Sequence, residues 1–139
     1  MNSRLPTDII YIDSELKLLK LKVLNGDFSI CKIKDIKDVN FNDEFFFVGK
    51  TDEEISLACK TEFVPNDCIA ADDGWKGLRI EDALDLSLVG IIAEISAILA
   101  ANDIAVFVIS TFNTDYALVK SDDLTSAVSS LQDEGYVFS

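Results

Sequence analysis

Histidine is absent from this 139-residue chain. That removes the usual general base near neutral pH and the commonest metal ligand. The hydroxyls of Ser87, Ser110 and Thr111 have no imidazole to activate them, and a lysine is the one substitute base in principle. Cys31, Cys59 and Cys68 form no C-x-x-C pair, and their number is odd. Such a set points to reduced thiols in a cytoplasmic protein rather than to a disulfide framework or zinc. Cys59, in the run Ile55–Cys59, reads as a small core residue. The pair Asp122-Asp123 is better explained as charge in a helix's first turn than as catalytic carboxylates, and Glu94 as solvent-facing. No catalytic residue, metal or cofactor is expected, and binding is favoured over turnover.

Charge narrows the partner. Twelve Lys+Arg stand against twenty-five Asp+Glu, a net charge of −13. Phosphate backbones and anionic membrane surfaces repel such a chain, so neither nucleic acid nor membrane is expected. Hydrophobic residues make up 49%, enough for a real core. The apolar stretch Val89–Ile109 is interrupted by Glu94, Asn102 and Asp103 and reads as a buried helix followed by a buried strand, not a bilayer crossing. The N-terminus, Met1 to Pro6, lacks a signal peptide's apolar core.

The elements that must position any site fall into two halves. The first half reads as strands. Leu16–Val23 and Phe28–Ile33 flank Asn25-Gly26, a hairpin signal. Phe45–Val48 and Ile55–Cys59 follow, and Pro65 to Gly74 looks like a linker. The second half changes period. Trp75–Ile80 is a short strand. A helix then starts near Asp85 and Ser87 and runs to about Ala101, with Leu88, Ile91, Ile92, Ile95 and Leu99 on one stripe. Ile104–Phe112 is rich in β-branched and aromatic residues and is expected as a central strand. Asn113-Thr114-Asp115 turns the chain into the strand Tyr116–Lys120. Ser121 is expected to cap a second helix, whose end suits Gly135, and Tyr136–Phe138 is the last strand. The order is β-α-β-β-α-β, the ferredoxin-like layout.

That layout serves many functions. An RNA-recognition module wants a basic surface, a metal chaperone wants paired Cys in the first β-α loop, and an acylphosphatase-like enzyme wants Arg there. The loop Asp82–Ser87 has none of these.

Two segments carry a family resemblance. They are Leu84-Asp85-Leu86-Ser87-Leu88-Val89-Gly90-Ile91-Ile92-Ala93-Glu94-Ile95 and Ile109-Ser110-Thr111-Phe112-Asn113-Thr114-Asp115-Tyr116-Ala117-Leu118-Val119-Lys120. Together they resemble an ACT domain, of the subfamily found in small bacterial tandem-ACT proteins, the CASTOR arginine sensors and the regulatory domains of aspartate kinases. The second segment is the more specific. The resemblance implies an α+β fold of two ferredoxin-like ACT units with antiparallel sheets covered on one face by helices. The units would be a strand-rich domain at 1–70 and the β-α-β-β-α-β domain at 71–139. It also implies a regulatory, cytoplasmic, dimeric module that binds an amino acid or similar metabolite between units. The alternative is an ACT-fold interaction module without a ligand.

By position, Asp85, Ser87, Leu88, Val89 and Gly90 would meet the ligand's α-carboxylate and α-amino group. Amide N–H groups at a helix N-terminus attract a carboxylate, and Gly90 permits close approach. Thr111, Phe112, Asn113 and Asp115 would meet its side chain, with Asp115 able to pair a cation. Plainer roles compete: Ser87 as a cap, Gly90 as a helix-packing residue, Asp115 as a turn residue, Phe112 as core or interface. The first half shows no clear second copy of the ligand loop.

Overall fold

The computed structural model describes the backbone of residues 19–81 and 88–139, and all their side chains save those of Leu88 and Val89. Eight strands join in one sheet: β1 Lys20–Val23, β2 Phe28–Ile33, β3 Phe46–Lys50, β4 Ile55–Lys60, β5 Ala70–Glu81, β6 Val106–Ser110, β7 Asp115–Lys120 and β8 Val137–Phe138. Helices α1, Leu88–Ala101, and α2, Leu124–Asp133, complete the expected β-α-β-β-α-β order from β5 onward.

The long strand β5 is the spine. One of its edges pairs with β7, from Trp75↔Lys120 to Arg79↔Tyr116. The other edge pairs with β2 near its start and with β1 near its end. This corrects two expectations. Ala70–Gly74 is not linker but the first half of β5, because its main chain completes the ladder to β2, as in Cys31↔Ala71. Asn25-Gly26 is not a hairpin turn either. β1 and β2 run end to end along the same edge of β5, and Gly26, at φ +96°, lets the chain kink between them. The kink transfers the chain between two cores. Leu21 packs under the helices, whereas Phe28 packs on the opposite side of the sheet. Buried Ser29 fixes the junction: its Oγ donates to Asp73 Oδ1 at 2.6 Å and accepts from Thr61 Oγ1 at 2.8 Å.

One face of β1, β5 and β7 is covered by both helices. Leu78, Ile80, Ala117 and Val119 meet Ile91, Ile95 and Leu99 of α1 and Ala127 and Leu131 of α2. Both helices end in the same way. Asp103 (φ +59°) and Gly135 (φ +100°) adopt left-handed backbone, and the next amides, of Ile104 and Tyr136, reach back to the carbonyls of Leu99 and Leu131 at 3.0 and 3.1 Å. At its start, α2 departs from expectation. Ser121–Asp123 forms a separate 3₁₀ turn, Asp123 occupies the cap position of α2, and neither turn nor helix has a side-chain cap. Strand β6 is an edge rather than a central strand, since among the described residues it pairs only with β7. Its apolar content serves the second core instead.

That second core forms because the sheet coils, bringing β3 and β4 against β6 and β7. Phe47 and Tyr116 pack as tilted rings with centroids 5.0 Å apart, and Trp75 and Phe107 lie 6.4 Å apart, around Phe28, Ala58 and Leu118. A third cluster, with Cys31, Leu57 and Cys59, fills the outer face of β2 and β4.

The two hairpins of this coil are copies. Phe46–Lys50 with Ile55–Lys60 and Val106–Ser110 with Asp115–Lys120 correspond at an offset of 60 residues, with matching registers from Lys50↔Ile55 and Ser110↔Asp115 onward. The turns match too: Thr51 N donates to Glu54 O at 2.9 Å, and Thr111 N to Thr114 O at 2.8 Å. After each hairpin, Lys60 (φ −62°, ψ 141°) and Lys120 (φ −63°, ψ 144°) lead into a 3₁₀ turn. The first half therefore contains a turn that matches the one between β6 and β7.

Candidate functional site

The expected site lies where β5 ends, α1 begins and β6 turns into β7. Asp85 and Ser87 lie outside the described residues. Leu88, Val89 and Gly90 form the first turn of α1. Gly90 is exposed, and a Cβ built on it meets nothing within 4 Å, so helix–sheet packing does not require this glycine. One residue on, Ile91 packs in the same core as Ile80 and Ala117. This sets the first turn of α1 on the helix-covered face, toward the end of β5 and the start of β7.

Strand alternation puts Asp115 on the helix-covered face with Ala117 and Val119. Asp115 is 5% exposed, one of two buried polar residues among those described, and accepts a hydrogen bond from Ser110 Oγ. Burying a carboxylate is costly unless it is partnered, so a turn residue of no further consequence would be expected outside the core. The turn itself is well braced. Thr111 Oγ1 donates to Thr114 O at 3.0 Å, and Thr114 Oγ1 donates to Ile80 O at 2.9 Å. Thr111, Phe112 and Asn113 are exposed, and the Phe112 ring is entirely in solvent. Phe112 is therefore not a core residue of the chain.

The structure thus brings Asp115, Ser110, Thr114 and the first turn of α1 to one end of the sheet. Sequence reasoning had not given Thr114 its bracing role. Its position one residue before Asp115 was visible, but its partner, 34 residues away, was not. The opposite face at this end carries Arg79. Its Nε donates to Glu81 Oε2 at 2.6 Å, and its guanidinium lies 5.7 Å from the centre of the Phe45 ring. The Glu81 hydrogen bond raises the Arg79 pKa further. On the outer side of the helix layer, exposed Glu94 accepts from the buried Tyr136 hydroxyl. Burial and then Glu94 raise the Tyr136 pKa.

The first-half hairpin keeps the turn but not the acid. Lys50 and Ile55 stand where the second hairpin has Ser110 and Asp115.

Residues 70–133 match the family model described as ACT domain. The chain contains an ACT domain. The human "Cytosolic arginine sensor for mTORC1 subunit 1" is 44% identical over 59 residues, covering 42% of this chain and 18% of that protein. The mouse sensor is 34% identical over 95 residues, covering 63% and 29%. The chain thus spans less than a third of the curated relatives it matches. Among solved structures, protein Atu0741 of Agobacterium tumefaciens superposes with a TM-score of 0.79 at 28% identity, covering 88% of this chain and 92% of that one. The regulatory subunit of Thermus thermophilus aspartate kinase shares the fold at a TM-score of 0.58 and 8% identity, covering 82% and 96%. The ACT domain here is ferredoxin-like, with its helices on one face of the sheet. No described helix is long and apolar enough to cross a membrane.

Proposed function

We propose that this chain is a cytoplasmic regulatory module that binds an amino acid between ACT units of two copies of itself. The observation that carries the reading is the buried Asp115 carboxylate. It is held by Ser110 at the end of the sheet where the first turn of α1 lies. A helix N-terminus suits an α-carboxylate, and a pre-positioned buried acid suits a cationic or amino group. The curated relatives are arginine sensors by name, which agrees with an acid at this position. The repeat supports the dimer. The first hairpin carries Ile55 where the second carries Asp115, so a site between two acid-bearing turns takes a second copy of the chain. Asp85, Ser87 and the main chain of Leu88–Gly90 would take the ligand's backbone groups, with Thr111 and Asn113 lining the turn. Binding rather than catalysis is the role.

The test is a thermal-shift series over the twenty amino acids, followed by calorimetry and sedimentation. At a ligand concentration of 100 times Kd, linkage adds about 2.7 kcal/mol, several degrees for a chain this size. The expected result is a saturable shift, largest for a cationic amino acid, with a dimer in solution. No shift with any amino acid removes the reading. It would leave the second reading, an ACT-fold interaction module without a ligand. That one is favoured by the fully exposed Phe112 at the tip of the turn, an aromatic anchor for a protein partner.

A further inference from the structure

The two copied hairpins differ in bulk where they face each other across the coil. In the second, Ile109, Tyr116 and Leu118 point inward. Their counterparts sixty residues earlier are Gly49, Ser56 and Ala58. Three large side chains on one side thus oppose three small positions on the other. The result is an open cavity of about 220 Å³ between β3, β4 and β6, lined by Phe47, Gly49, Ser56, Ala58, Phe107 and Ile109 among others. Gly49 shares a strand face with Phe47, and a Cβ built on it meets nothing within 4 Å. A side chain at position 49 would therefore project into this space.

We propose that this cavity binds a small, neutral, largely apolar molecule, between benzene and indole in size. An apolar cavity of about 150 Å³ already accepts benzene, and this one is larger. No charged residue lines it, although 27% of the chain is charged. A free amino acid would leave both of its charges unpaired there, at high cost. Polar contacts available to a ligand are the Ser56 hydroxyl and the outer main-chain groups of β3 and β6, which have no ladder partners among the described residues. The site is distinct from the one at Asp115. It is on the other face of the sheet, although Ile109 in its wall directly precedes Ser110.

The experiment is calorimetric titration with indole, which has neither carboxylate nor amine and so does not report on the amino-acid site. Wild-type protein is expected to bind one indole per chain saturably. Gly49→Ile, which places at 49 the residue type found at the matching position 109, should weaken binding at least tenfold while raising the melting temperature of the free protein. Ser56→Val, on the partner strand, should weaken indole in the same way and decides the matter if Gly49→Ile does not fold. Indole-3-acetate should bind at least tenfold more weakly than indole to the wild type. The proposal is overturned if wild-type protein shows no saturable indole binding, if both variants bind indole like the wild type, or if indole-3-acetate binds as tightly.

Discussion

Thr114 donates its hydroxyl proton to the carbonyl oxygen of Ile80, 2.9 Å away. This one bond ties the β6–β7 turn to the last residues of β5. Ile80 is 4% exposed, so Thr114→Val leaves a nearly buried carbonyl short of a partner while keeping the side chain's shape. A loss of about 1–3 kcal/mol is expected in urea denaturation. Any amino acid that binds should do so more weakly, because the turn carrying Asp115 loses its brace.

Asp115→Asn keeps the volume of the side chain and removes its charge. A cationic amino acid should lose at least tenfold in affinity, about 1.4 kcal/mol, while a neutral one changes little. Calorimetry with arginine and a neutral amino acid checks this. Equal losses for both would remove the pairing role of Asp115.

Gly77 lies under two packed leucines. A Cβ there would approach Leu24 Cδ1 to 3.1 Å and Leu118 Cδ2 to 3.3 Å. Gly77→Ala should therefore cost about 1–3 kcal/mol through overpacking, read as a lower denaturation midpoint with an unchanged slope.

The two left-handed helix ends should respond in opposite directions. Asp103 already carries a side chain at φ +59° and Gly135 has none at φ +100°. Asp103→Gly is expected to stabilise by several tenths of a kcal/mol, and Gly135→Ala to destabilise by about 1 kcal/mol. Thermal melts of both variants measure the contrast.

At alkaline pH the buried thiol of Cys59 should cost stability. Burial pushes its pKa up from 9.0 to about 12, so the unfolded chain ionises first. The stabilising difference is intact below pH 9 and is lost as pH rises from 9 toward 12. Urea midpoints across this window should fall for the wild type and fall less steeply for Cys59→Ala. A parallel fall in both would mean that Cys59 is not the group responsible.

Local chemistry was legible wherever it depended on near neighbours in the chain. The stripe Ile91, Ile95, Leu99 marked α1, and Asn102-Asp103 and Gly135 marked the helix ends. The alternation in Phe28–Ile33 and the short apolar run Tyr116–Val119 marked strands. The S-T-F-N-T-D-Y segment marked the turn that the structure braces with Thr111, Thr114 and Ser110. Each signal needs only a few adjacent residues, because helix period, strand period and left-handed caps are properties of short segments. Ser121 misled because a 3₁₀ turn intervenes before α2, and capping residues suit either.

Partnership between segments was decided only by the tertiary structure. Asn25-Gly26 fits a hairpin locally, but pairing both flanking strands to β5 lets Leu21 and Phe28 enter different cores. Ala70–Gly74 is polar and Gly-ended, yet the unpaired edge of β2 recruits it as strand, since buried main-chain groups must find partners. Histidine's absence and the surplus of carboxylates bounded the function from composition alone. That Asp115 is buried while its counterpart is Ile55, and that Gly49 leaves open what Ile109 fills, emerged only when coiling of the sheet set the two hairpins face to face. Burial and facing depend on contacts between residues far apart in the chain, and no local pattern encodes them.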